Sequence, residues 1–349
     1  MQKWTSRIET PIKAELICYD VNGIHIVFGV TEENQLKLFH FSHAPFDAEN
    51  LCRKPDNWWP MEGMREAQIK ESFQLVQVNF SGYNRPYEKH GNKYIVTAPG
   101  FMLKFDSISE ERDENGDVLR IVQKDGVTGA KVESVMQFYD GLSIARVYNT
   151  VTNEGNEDQT LEYISSFSYW GIEKEQKEGI PEFISSDDKM SMVVVHNGWQ
   201  KELTVKKYRF ADLGMAQTQP HNYQRTSKTI EVTNTEYIPM GYIGNSAADS
   251  SLFFEIDHSG SWHYEIGDQN CHFYLAVSGP TEIQSHWSKN LKPGDSFTTV
   301  PVAVGVGHDD FEEAVGTLTK YRRRIRRPNK DNENLPVIFN DYMNCLWGD

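Results

Sequence analysis

The sequence predicts a mainly β protein built as a large antiparallel β-sandwich, and three observations support this. About fifteen short runs typical of strands follow one another, at spacings of about 8–15 residues, between residue 12 and about residue 305. Turn signals such as Asn22-Gly23 and Asp140-Gly141 separate several of these runs. No fixed internal repeat is present, which disfavours a propeller.

The strands are predicted in chain order, several of them as hairpins. The first hairpin joins 12–19 to 24–31 across Asn22-Gly23. The other predicted hairpins pair 102–109 with 118–123, 132–139 with 142–151 and 253–257 with 262–266. Further strands are expected at 36–41, 73–80, 161–170, 192–196, 203–210, 273–277, 282–287 and 297–306. Residues 43–70 contain several prolines and are predicted to form a long loop, a kind of segment that is often functional.

One convincing helix follows the predicted strands, over residues 309–327. Asp309 or Asp310 can cap its start, and Pro328 ends it. Its arginine-rich end, 322–327, could bind RNA or a membrane, but packing against an acidic surface is favoured in so acidic a chain. One face is apolar at helical spacing, with Phe311, Ala314, Val315, Leu318, Tyr321 and Ile325.

The run from Leu335 to Phe339 is apolar throughout, which is typical of a strand buried on both faces of a parallel sheet. Asn340, Asp341 and Tyr342 follow it, at the end of a strand where barrels and open α/β sheets place ligand sites. A parallel strand needs neighbours and a crossover helix. We therefore expect a second domain to begin here, and the sequence to be a fragment of a longer protein.

Composition excludes some classes of partner. The 35 Lys and Arg residues against 50 Asp and Glu give a net charge of −15, which repels nucleic acid and anionic membranes. No apolar run approaches the roughly 18 residues of a spanning helix, and no leader is recognisable, so a cytoplasmic location is predicted. The four cysteines are scattered and the histidines lack ligand spacing, so neither a metal site nor a cofactor is expected.

Candidate chemistry is sparse. The motifs of serine hydrolases, P-loop proteins, zinc proteases and dinucleotide-binding proteins are absent from the sequence. The adjacent acids Asp309-Asp310, Glu110-Glu111 and Asp187-Asp188 are better interpreted as caps or turns than as a glycosidase pair, which must face each other across the substrate. Trp58 and Trp59, with Arg65 nearby, could stack on sugar rings or plug the edge of the sandwich, and both interpretations remain open.

Taken together, these segments resemble the N-terminal portion of the bacterial α-galactosidases, or melibiases, of glycoside hydrolase family 36. The most specific similarity is the helix segment LTKYRRR at 318–324 followed by LPVIFNDY at 335–342. Four weaker similarities occur in the same order as in the family, namely GMREAQI at 63–69, HNGWQKE at 196–202, GSWHYEIG at 260–267 and GDSFTTVP at 294–301.

The resemblance implies a galactose-mutarotase-like β-supersandwich over 1–305, a connecting helix and linker over 306–334, and the start of a truncated (β/α)8 catalytic barrel over 335–349. It implies retaining hydrolysis of α-galactosides such as melibiose or raffinose by the full-length homo-oligomer. The catalytic aspartates would belong to later barrel strands, so this chain alone is expected to be inactive. Trp58, Trp59 and Arg65 would contribute to a neighbouring subunit's pocket, and Asn340, Asp341 and Tyr342 would lie at the barrel mouth.

Two other functions remain open. One is a stand-alone carbohydrate-binding module that uses Trp58 and Trp59. The other is a mutarotase-like isomerase, which would need a histidine and a carboxylate on one concave sheet, and this possibility rests on analogy of fold.

Overall fold

A computed structural model describes residues 1–51, 70–83, 93–173, 189–198, 200–215, 237–269 and 272–341. Within these ranges nineteen strands form antiparallel sheets in two layers, which confirms the predicted mainly β sandwich. The strands are β1 (Gln2–Ile8), β2 (Ala14–Val21), β3 (Ile24–Thr31), β4 (Leu36–Ser42), β5 (Val78–Phe80), β6 (Lys104–Arg112), β7 (Asp117–Lys124), β8 (Ala130–Tyr139), β9 (Leu142–Asn153), β10 (Gln159–Trp170), β11 (Met190–His196), β12 (Thr204–Arg209), β13 (Tyr237–Asn245), β14 (Ser250–Ile256), β15 (His263–Gln269), β16 (His272–Ser278), β17 (Lys289–Leu291), β18 (Ser296–Thr298) and β19 (Val302–Gly307).

The large sheet has ten strands, in the order β12-β11-β13-β14-β19-β9-β8-β7-β6, with β18 paired to β9. The other layer, here called the front layer, contains the sheet β1-β2-β3-β4 and the sheet β15-β16-β10-β17, with β5 paired to β10. Gln74 bridges to Lys37 in β4, and β5 begins four residues later. The two smaller sheets are thereby joined into one layer.

The main core lies between the two layers. Phe28, Phe41, Phe167 and Leu275 from the front layer meet Met136, Val147, Met192, Phe254 and Val304 from the large sheet. All are buried, and burying each such side chain contributes about 1.5–3 kcal/mol before the cost of ordering the chain. A second, smaller apolar cluster covers the outer face of the front layer and includes Leu16, Phe39, Phe73, Ile95 and Trp170.

The short helices are α1 (Ala98–Met102), α2 (Glu282–Ser285) and α4 (Lys330–Asn334), and the long helix is α3 (Phe311–Ile325). The cap of α3 is Asp310, whose carboxylate accepts from the backbone N–H groups of Glu312 and Glu313 at 2.9 and 3.1 Å. The helix buries Ala314, Leu318 and Tyr321 against the outer face of the large sheet, whereas Ile325, also predicted on this apolar face, is exposed.

Several local predictions were wrong. Residues 282–287, predicted as a strand, contain α2, because the Thr281 side chain accepts from the Gln284 backbone N–H and caps a helical turn. The predicted hairpin between 253–257 and 262–266 is not formed. Strand β14 pairs with β13 and β19 in the large sheet, whereas β15 pairs with β16 in the front layer.

Two further predictions concern the segments 335–339 and 43–70. Leu335–Phe339 was expected to be a strand, but it is neither helix nor strand. Of the predicted loop 43–70, residues 48–51 form a short 3-10 helix, and residues 52–69 lie outside the described residues. None of the helices in the described ranges is long and apolar enough to cross a membrane.

Candidate functional site

The predicted site residues divide into two groups. Trp58, Trp59, Arg65 and Tyr342 lie outside the described residues, so their predicted roles remain untested. Asn340 and Asp341 are exposed and follow the apolar run directly. Clusters of polar side chains lie at the end of the sandwich where α3 leads to this run, and on the outer face of the front layer.

Helix α3 is anchored to the large sheet by charged hydrogen bonds. The Tyr321 hydroxyl donates to Asp257 Oδ2 at 2.6 Å, and Arg146 Nε donates to the same oxygen at 3.0 Å. The next residue, Arg322, donates from Nε to Glu255 Oε2 at 2.6 Å. Burial, and then the Asp257 carboxylate, raise the pKa of Tyr321, so the phenol remains a donor at neutral pH. The arginine-rich end thus begins on acidic surface, as predicted.

The adjacent acids at the start of α3 have structural roles. Asp309 accepts a 2.7 Å hydrogen bond from the Tyr242 hydroxyl, and Asp310 caps the helix. These contacts support the interpretation of the pair as caps rather than as a glycosidase dyad.

Beyond α4 the chain exposes an apolar segment. Leu335, Val337, Ile338 and Phe339 are 77, 99, 86 and 77% exposed. Four large apolar side chains in so short a segment are unusual on a soluble surface and mark it as an interaction site. The sequence predicts burial of this segment as a strand, whereas in the described residues it is neither a strand nor buried.

The outer face of the front layer carries a buried polar cluster. His263 and Glu265 lie two residues apart on β15, so their side chains share a face, and Tyr274 of β16 donates to Glu265 Oε1 at 3.1 Å. The same oxygen accepts from the Tyr94 backbone N–H at 2.6 Å. The Tyr94 ring stacks on Tyr163, with centroids 4.1 Å apart.

Several polar atoms of this cluster lack partners. Both ring nitrogens of His263, Glu265 Oε2 and the Tyr163 hydroxyl are buried without a hydrogen bond in the described structure, and His263 Nε2 lies 3.5 Å from Glu265 Oε2. Buried polar atoms without partners are costly and call for an explanation such as a bound water. The histidine and carboxylate required by the isomerase alternative are thus present on one sheet, but both are buried beneath Tyr94.

A second buried pair lies on the neighbouring strand. His272 Nδ1 is 2.6 Å from Glu173 Oε1, and Glu173 Oε2 accepts from the Phe273 backbone N–H at 2.9 Å. Burial alone would raise the pKa of Glu173, but His272 and this N–H outweigh it and hold the pKa below its ordinary value. The pair therefore favours the ionised carboxylate.

Sequence reasoning missed both histidine–carboxylate pairs, because it placed His263 in a strand without identifying a partner. One signal was available for the first pair: His263 and Glu265 lie two positions apart in β15, which places them on one face. Among the described residues, no three His, Cys, Asp or Glu side chains are grouped closely enough to hold a metal ion.

Comparison of the structure with solved structures finds α-galactosidases. The GH36 α-galactosidase AgaB from Geobacillus stearothermophilus superposes with a TM-score of 0.64 at 13% identity, over 97% of this chain and 46% of that one. A variant of AgaA from the same organism, solved with raffinose, gives a TM-score of 0.63 at 14% identity over 89% and 43% of the two chains. The α-galactosidase from Lactobacillus brevis gives 0.55 at 11% identity over 92% and 42%.

By sequence, no family model and no curated protein matches the chain. The chain spans less than half the length of each of these solved enzymes, while they cover most of its own length. At such low identity the likeness concerns the fold. The chain therefore has the fold of one part of the GH36 α-galactosidases, as expected for their N-terminal region.

Proposed function

We propose that the chain is the non-catalytic N-terminal region of a cytoplasmic α-galactosidase that releases terminal α-galactosyl groups from melibiose- or raffinose-type oligosaccharides with retention of configuration. The observation that carries this proposal is the agreement of fold over 97% of the chain with 46% of a GH36 enzyme. A fold alone does not fix a function, so the inference also needs a local feature that fits.

The exposed apolar segment supplies that feature. In the proposed division, 1–305 is the supersandwich, 306–334 is the connecting helix and linker, and 335–349 begins the catalytic barrel. Val337, Ile338 and Phe339 would then be buried on both faces of the first barrel strand. Asn340, Asp341 and Tyr342 would follow that strand at the barrel mouth, where such enzymes bind ligands.

The chain alone should lack hydrolytic activity. Retaining hydrolysis needs two carboxyl groups about 5 Å apart on opposite sides of the glycosidic bond. Among the described acids, Asp310 instead caps a helix and Asp257 forms an ion pair with Arg146. We assign the catalytic aspartates to later barrel strands, and the sandwich serves as scaffold, oligomerisation surface and pocket rim. In this homo-oligomer Trp58, Trp59 and Arg65 would line a neighbouring subunit's pocket.

The proposal is tested with the purified chain and a p-nitrophenyl α-galactoside. No nitrophenol release is expected from the chain alone, whereas a protein extended by the continuation of its reading frame should hydrolyse the same substrate and raffinose. Hydrolysis by the chain alone, or an extension without alternating strands and helices, would overturn the proposal. Calorimetric binding of galactosides by the chain, lost on Trp58→Ala or Trp59→Ala, would favour the carbohydrate-binding module instead.

A second candidate, sugar isomerisation, is favoured by one observation. His263 and Glu265 share a face of β15 and keep three polar atoms without partners in the described structure, a donor and acceptor set that would move a proton between sugar oxygens if Tyr94, which covers both, moved aside. Polarimetry of freshly dissolved α-galactose distinguishes it. If the chain is an isomerase, it should accelerate the change of rotation, and Glu265→Gln should abolish that acceleration. An unchanged rate would eliminate this candidate.

A further inference from the structure

Two imidazole rings meet where the two layers come together at one end of the sandwich. His43 directly follows β4 in the front layer, and His308 directly follows β19 in the large sheet. Their ring centroids are 4.8 Å apart, with an interplanar angle of 63°. A contact made by two titratable rings from opposite layers is sensitive to protonation, because two imidazolium ions at this distance repel each other.

The surroundings of the two rings differ. His308 Nδ1 lies 3.1 Å from Asp249 Oδ2, and the His308 carbonyl accepts from Ser251 Oγ at 2.6 Å. His43 Nδ1 is shielded from solvent and has no hydrogen-bond partner in the described structure. His308 Nδ1 therefore faces a carboxylate, whereas no hydrogen-bond acceptor among the described residues faces His43 Nδ1.

A small pocket between the layers lies next to the contact. It is lined by Ser42 and Ser251, which neighbour the two histidines in the structure, and by Phe41, Tyr169 and Asn245. Asp309 and Asp310, which position the start of α3, directly follow His308. Movement of His308 would therefore act on the first turn of α3.

The charged and titratable groups facing His43 come from four elements. They are His308 after β19, Asp249 between β13 and β14, His25 of β3, and Glu313 of α3, while Asp20 contacts His25. Burial, and then His308, lower the pKa of His43 below its ordinary value, and the attraction of Asp249 and Glu313 only partly opposes them. His43 is thus held neutral in the closed arrangement.

We propose that the His43–His308 contact is a proton-operated latch that holds this end of the sandwich and the first turn of α3 closed. Proton uptake by His43 opens it, separates the rings and loosens α3. Because the opened form binds the proton more tightly, closure is fully favoured above the ordinary histidine pKa. It is progressively lost as the pH falls from there through the pKa of His43 in the closed form. The latch is a property of the sandwich and does not depend on the proposed glycosidase role.

The latch is tested on the whole chain by amide exchange and imidazole NMR. Between pH 7.5 and 5.5 the protection factors of the first turn of α3 should fall by up to about tenfold, because pH 5.5 lies one unit below the ordinary histidine pKa of 6.5. His43→Phe keeps an aromatic ring but cannot take up a proton, so it should remove this fall. The exposed His258→Phe is the matched control and should preserve it.

Two outcomes would overturn the latch. One is an equal loss of protection in the wild type and in His43→Phe. The other is a titration midpoint for the His43 ring in the wild type at or above the ordinary value of 6.5. The second measurement needs no variant, so it decides the question even if His43→Phe fails to fold.

Discussion

Tyr321 on α3 and Asp257 after β14 are joined by a 2.6 Å hydrogen bond, and Arg146 of β9 donates to the same carboxylate oxygen. The long helix is thus tied to two strands of the large sheet through one half-buried acid. This contact fixes the direction in which the chain leaves the sandwich toward the exposed apolar segment.

Tyr321→Phe should weaken the anchoring of α3. The substitution keeps the ring in its apolar site but removes a hydrogen bond to a charged group, so we expect a loss of about 1.5–3 kcal/mol in the free energy of unfolding. Urea unfolding measures it. Tyr148→Phe on β9 is the control, because the Tyr148 hydroxyl makes no hydrogen bond in the described structure, and its effect should be small. Equal stability of wild type and Tyr321→Phe would contradict the anchoring role.

Lys37 should destabilise the fold at neutral pH. The side chain is fully buried in β4, and its ammonium group donates to the Lys70 carbonyl at 2.8 Å. Burial, followed by the nearby Lys104, lowers the pKa of Lys37 to about 7 from 10.5. The unfolded chain therefore binds the proton more tightly, so stability should rise with pH between about 7 and 10.5.

Lys37→Met tests this, because it keeps the length and removes the titration. The variant should be more stable than the wild type at pH 7, and the difference should shrink toward pH 10, as followed by thermal unfolding across the pH range. The exposed Lys206→Met on β12 should leave the pH profile unchanged. A constant difference at all pH values would show that Lys37 does not titrate in this way.

The buried Glu173–His272 pair should control stability in acid. The pKa of Glu173 is held below its ordinary value of 4.5, so the pair stabilises the fold above that pH and is lost as the pH falls through the folded pKa. Glu173→Gln should cost about 3 kcal/mol at pH 7 and flatten the acid limb of the stability curve. The exposed Glu114→Gln should do neither. An unchanged acid limb in Glu173→Gln would contradict the assignment.

Local signals in the sequence predicted local structure well. Asn22 and Gly23 both have positive φ, at 50° and 82°, as the two central residues of a type I′ hairpin require, and β2 pairs with β3 as expected. The cap and apolar face of α3 were likewise predictable, because they depend on residues three or four positions apart.

Contacts between distant segments could not be predicted. The turn at 258–261 has hairpin composition, yet β14 and β15 lie in different layers, where the Phe254 and Tyr264 rings pack at 4.9 Å across the core. His43 and His308, or Glu173 and His272, meet only because strands far apart in the sequence become neighbours. No spacing rule within one sequence encodes such a meeting.

The segment Leu335–Phe339 should promote self-association of the isolated chain. Val337 and Ile338 are 99 and 86% exposed, and exposed apolar runs of high strand propensity associate with one another. We expect rapid amide exchange at these positions in the monomer.

Val337→Asp combined with Ile338→Asp should lower concentration-dependent light scattering and leave the melting temperature of the sandwich within experimental error, because neither side chain has packing to lose. Val127→Asp, in the turn between β7 and β8 and 73% exposed, is the matched control for the added charge and should reduce scattering less. If the segment is instead strongly protected from exchange in a monomer, it is already buried. It would then be unavailable to a catalytic barrel, and the proposed boundary at residue 335 would have to move.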